Sequence, residues 1–96
     1  MATRLDAEVH RHLTVEEIGA LLDEGRQVIA SVHFEIRRPH RPSPGRGGHL
    51  VLLTRRTPEG LLHFHNPSGI DAPTRTATLP ADGFEPFFAG RGVSLR

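Results

Sequence analysis

Ninety-six residues make one small domain, with no room for two independent cores; hydrophobic content is 36%, the five aromatic residues are all Phe, and the formal net charge is only +1. A chain of this size buries only about two-thirds of the surface its unfolded form exposes, so marginal stability or dependence on a partner is expected. The absence of cysteine excludes disulfides, thiolate metal sites and a cysteine nucleophile from this chain.

No apolar run approaches the ~20 residues needed to span a bilayer. The opening Met1-Ala2-Thr3-Arg4-Leu5-Asp6-Ala7-Glu8 also lacks the apolar core of a signal peptide, so a cytoplasmic location is expected. Charge is laid out unevenly: residues 1–24 hold six acidic and two basic groups, residues 25–56 seven arginines against Glu35 alone. All twelve cations are Arg, which fits a codon-composition bias. A nucleic-acid surface needs a basic stripe with aromatic or helix-borne contacts. Arg37, Arg38, Arg41 and Arg46 instead share a Pro/Gly loop without an aromatic among them, so no nucleic-acid partner is expected.

Residues 1–13 carry charge, His10 and His12 without a sustained period, and read as a poorly ordered leader. At Thr14 a capping box begins: the Thr14 hydroxyl can accept from the Glu17 amide while the Glu17 carboxylate reaches back. Val15, Ile18, Leu21 and Leu22 then fall at helical spacing with Glu16, Glu17, Asp23 and Glu24 on the wet side, and Gly25 supplies a left-handed stop. The pattern predicts a helix over 15–24. Residues 27–34 are rich in β-branched side chains and apolar on both faces, which predicts a central strand with His33 as a partly buried sheet histidine. A loop of about a dozen residues follows, long for a compact domain.

Two apolar runs, 49–54 and 61–65, flank Thr57-Pro58-Glu59-Gly60 and predict a hairpin. Pro67 cannot continue the ladder, so the second strand stops at Asn66. Residues 70–78 are polar and turn-prone, with Thr76–Leu79 as a short edge strand. Pro80–Ala89 reads as an interrupted helix burying Phe84, Phe87 and Phe88; Gly90-Arg91-Gly92 ends it, and Val93–Leu95 forms a last strand. The order predicts an α+β fold, an N-terminal helix packed on a small, mainly antiparallel sheet.

The hairpin carries the chemistry. Paired glycines before His49 permit close backbone approach and leave the imidazole at a sheet edge. Pairing around the 57–60 turn sets position 49 opposite the far end of the 61–65 strand, near Asn66. A general-base imidazole needs a neighbour that fixes its tautomer, and an amide oxygen serves. The bland alternative is a capped strand end with Asn66 as a turn residue. A second alternative is metal: His63 and His65 are two apart on a strand and share a face, and with His49 three imidazoles could converge on a divalent ion. No carboxylate lies nearby at ligand spacing.

Three stretches together resemble the C39-like cysteine peptidases, papain-like domains related to the bacteriocin-processing peptidases of bacterial export transporters. They are Val28-Ile29-Ala30-Ser31-Val32, Gly47-Gly48-His49-Leu50-Val51-Leu52-Leu53-Thr54 and His65-Asn66-Pro67-Ser68-Gly69. The closing stretch from Leu79 to Leu95, with its phenylalanines and Gly90-Arg91-Gly92, is similar to the family's final helix and strand. The likeness runs over about residues 14–96 and to the C-terminal half of the domain only. It implies a peptidase-type domain acting on peptide bonds, with His49 matching the general base that activates a cysteine thiol and Asn66 the residue that orients it. The family's nucleophilic cysteine and oxyanion-hole glutamine lie N-terminal to the matched region. Ser31, mid-strand, and Ser68, in a turn, sit at no nucleophile elbow.

The expectation is therefore a single domain over 1–96 with leader 1–13, a truncated or split C39-like hydrolase fold inactive alone. No cofactor is expected. The partner implied is a peptide substrate or a second polypeptide supplying the cysteine-bearing half. The rival is a non-catalytic binding module, metal-bearing through His49, His63 and His65 in one version.

Overall fold

The computed structural model describes residues 7–37, 41–66 and 76–96. The expectations for Pro67, Ser68 and Gly69, for the polar stretch up to Arg75 and for Arg38 lie outside them. The elements are β1 (Ala7–His10), α1 (Val15–Asp23), β2 (Gln27–Val32), a 3-10 turn (Phe34–Arg37), β3 (His49–Arg56), β4 (Leu61–His65), β5 (Thr76–Pro80), α2 (Ala81–Phe84) running into a second 3-10 turn (Glu85–Phe87), and β6 (Phe88–Leu95). The fold is α+β. Six strands form one sheet in the order β1-β6-β2-β3-β4-β5, and every neighbouring pair is antiparallel.

The helix forms as its sequence dictates. Thr14 Oγ1 accepts from the Glu17 amide at 3.1 Å while Glu17 Oε1 accepts from the Thr14 amide at 3.0 Å, so two of the four orphan donors at the helix start are satisfied. Gly25 ends it at φ 85°. Val15, Ile18, Gly19 and Leu22 face the sheet, and Arg56 of β3 reaches back to Asp23 at 3.2 Å.

Alternation divides the sheet cleanly. Val28, Ala30 and Val32 of β2 pair with Leu53, Val51 and His49 of β3, and Phe64 of β4 pairs with Leu53, so these side chains share the helix-bearing face. Phe84 completes the core, edge-on to Phe64 and tilted against Phe88 with centroids 5.7 Å apart in each case. A bulge between Leu53 and Arg55 shifts the register, so Arg56 and Leu62 rejoin the core side while Arg55 and His63 take the other.

Four local expectations change. Ala7–His10, inside the stretch read as a leader, forms a strand because β6 offers it an unpaired edge. The central strand ends at Val32, since the His33 amide turns to the Phe87 carbonyl at 2.8 Å. The helix expected to Ala89 stops earlier: Pro86 cannot donate an intrahelical bond, and Phe88 is already extended. Gly90-Arg91-Gly92 belongs to the strand, not to a terminator, because β2 pairs with it through Ala30 and Gly92 while Gly90 O accepts from the Leu13 amide at 2.8 Å.

Candidate functional site

The Phe87 carbonyl gathers the chain beside the site. It accepts from the His33 amide at 2.8 Å and the Gly47 amide at 3.5 Å, which ties the end of β2 and the start of β3 to the last residue before β6. Gly47 sits at φ 85° and Gly48 at φ 94°. This left-handed pair turns the loop sharply into β3, a conformation most side chains resist. At Gly47 space is also closed: an added Cβ would lie 3.0 Å from Ala89 Cβ and 3.3 Å from Ser31 Oγ.

Arg46 completes this anchorage. Its Nη1 lies 3.1 Å from each of three acceptors: Glu85 O, Glu85 Oε1 and Phe88 O. In the sequence Arg46 is one arginine among several in a Pro/Gly loop, and nothing local names its partner 39 residues away. The signal that could have found it is its position, directly before the paired glycines.

His49 is the first residue of β3 and its ring is half-buried on the helix-bearing side. Asn66 follows β4, two residues past Phe64 on that same side, and is 1% exposed. His49 Nε2 and Asn66 Oδ1 are 2.8 Å apart. An amide oxygen accepts, so Nε2 carries the proton and Nδ1 of the neutral ring is the acceptor nitrogen. The contact with this buried residue, just past the end of the neighbouring strand, favours the tautomer that leaves Nδ1 as the proton acceptor.

The other sequence candidates fall elsewhere. His63 and His65 lie on the opposite face of the sheet from His49, as the pairings Leu52 with His65 and Arg55 with His63 require. The three imidazoles do not converge, and among the described residues no group of three His, Asp or Glu side chains is placed to hold a metal ion. His63 Nδ1 instead meets Thr78 Oγ1 at 2.9 Å. Ser31 also points away from His49, since it pairs with Leu50 on the far face. His33 is half-buried, and its Nδ1 accepts from the Glu35 amide at 3.0 Å, a local structural bond. No protein-family model, curated protein or solved structure matches the chain.

Proposed function

We propose that the chain is the base-bearing half of a C39-like, papain-type cysteine peptidase, with His49 as general base and Asn66 as the residue that orients it. The observation that carries this reading is the 2.8 Å contact from His49 Nε2 to the buried Asn66 Oδ1. With Nε2 donating to Asn66, Nδ1 is the ring nitrogen that would take a proton from a nucleophile. The likeness of Gly47-Gly48-His49 and Asn66-Pro67 to the family's two motifs supports the same assignment.

The chemistry then divides between two polypeptide segments. A cysteine thiol on the other segment gives its proton to His49 Nδ1, and the thiolate sulfur attacks the peptide carbonyl carbon. The C–N bond breaks as the imidazolium returns its proton to the leaving amine, and water hydrolyses the thioester. Asn66 keeps the ring in plane with the approaching thiol and accepts from the imidazolium Nε2–H throughout. With no cysteine of its own, the chain by itself hydrolyses nothing by this route.

The test is complementation. The DNA upstream of the Met1 codon is read for a segment encoding Gln-x-x-x-x-Cys, and that polypeptide is produced together with this chain and assayed on a peptide library. Hydrolysis that needs both chains and disappears with His49→Ala supports the reading. Absence of such a segment, or hydrolysis indifferent to His49→Ala, overturns it.

A further inference from the structure

An antiparallel sheet with one face open to water normally alternates apolar-in with polar-out. Strand β4 follows that rule with His63 and His65, but the outward positions of β1, β6, β2 and β3 are largely apolar. On the face opposite the helices lie Ile29, Leu50, Leu52, Val93 and Leu95, joined by Val9 from the edge strand, as the cross-strand pairings require. Val9 is 71% and Leu50 58% exposed, the large apolar side chains most open to solvent among the described residues. Two shallow apolar depressions of about 360 and 340 Å³ lie side by side on this face, with Ile29 and Leu50 bordering both.

Charge narrows the choice of occupant. Arg11 and Arg91 stand at the rim of the first depression, and among the described residues no Asp or Glu lines either one. The carboxylates of Glu16, Glu17, Asp23 and Glu24 belong to α1 and its cap on the other side of the sheet. The described residues of this face, docked on those of a second copy, would therefore bring no counter-charge to these guanidiniums. An amphipathic helix with carboxylates beside its apolar stripe would bring it, covering this face as α1 covers the other with Val15, Ile18 and Leu22.

We propose that the open sheet face docks an amphipathic helix of a partner polypeptide, its apolar stripe seated over Ile29 and Leu50 and its flanking carboxylates meeting Arg11 and Arg91. The inference stands independently of the peptidase reading, since His49 and Asn66 lie on the opposite face. It explains an apolar surface that the core does not need and that would otherwise favour aggregation.

The probe is a synthetic helical peptide of about 18 residues, five turns, with leucines at i, i+3, i+4 and i+7 flanked by glutamates; a control carries lysines in their place. Each is titrated into the isotope-labelled full chain and followed by amide chemical shifts. The acidic peptide should shift Ile29, Leu50, Leu52 and Val93 and bind at least about tenfold more tightly than the lysine control, with salt weakening it. Leu50→Asp and Arg91→Glu should each weaken binding by about tenfold while leaving the amide shifts of Phe64 and Phe84 unchanged, which shows that the fold persists. Equal binding of both peptides or binding of neither overturns the proposal. So does dimerisation of the free chain that Leu50→Asp abolishes, or binding confined to anionic phosphatidylglycerol vesicles.

Discussion

The two faces of the sheet are built from alternate residues of the same strands, yet they carry opposite burdens. On one, Val28, Ala30, Val32, Val51 and Leu53 are closed over by α1 and the phenylalanines, and the polar pair His49–Asn66 sits at its margin. On the other, side chains almost as apolar are left half-covered or, at Val9 and Leu50, exposed. Neighbours one residue apart fall on different sides: His49 turns toward the core layer and Leu50 toward solvent. The difference teaches that hydrophobicity alone does not locate this core. What locates it is which side the capped, amphipathic helix can reach.

The largest expected effect tests that division directly. Phe84→Ala removes a fully buried ring packed on Phe64 and Phe88 and should cost about 3–5 kcal/mol in equilibrium urea unfolding. Leu50→Ala on the open face should stay within about 0.5 kcal/mol. Comparable losses at the two positions would abolish the distinction drawn here.

The margin of the closed face comes next. Asn66→Ala should destabilise by about 1–3 kcal/mol, because a buried polar contact is lost. In long-range proton–nitrogen spectra of the neutral ring, His49 should show a protonated Nε2 in the wild type and a tautomer mixture in the variant. A wild-type ring protonated at Nδ1 would contradict the orienting role. Gly47→Ala should cost about 1–3 kcal/mol from its left-handed backbone and more from the collision with Ala89, and it should move the amide resonance of His49. If that resonance stays in place, the turn does not set the position of the ring.

The smallest effect sharpens the comparison from the helix side. Thr14→Ala deletes the capping box and should cost about 1 kcal/mol, read by urea unfolding. The His49 resonances should not respond, since the cap supports the layer and not the pair.

What the sequence made legible follows from how local each signal is. Thr14 and Glu17 are three residues apart and state the helix start by themselves. The hairpin itself could be read from the two apolar runs that flank Pro58-Glu59-Gly60, but it is the bulge between Leu53 and Arg55 that brings Asn66 onto the face of His49. The path of Gly90-Arg91-Gly92 was not legible: taken alone it reads as a stop, and only β1 and β2, some 60 to 80 positions earlier, make it a strand. Arg46 was hidden for the same reason, its acceptors lying 39 and 42 residues away. The separation of His49 from His63 and His65 rests on which face each strand position takes, with the bulge at Leu53/Arg55 reversing that order further along β3. The pattern of residue types does not reveal such a bulge.

The sequence distance within the polar pair has a consequence for how the domain is made. His49 and Asn66 are 17 positions apart, whereas His10 and Ser94, whose contact joins the sheet's edge strand to β6, are 84 apart. By chain-closure entropy the shorter loop is easier to form by about 1.4 kcal/mol. The hairpin can therefore assemble its own imidazole–amide contact early in folding, before the two ends of the polypeptide meet. The chemically distinctive part of the molecule thus closes over a short loop, within a hairpin that needs neither end of the chain.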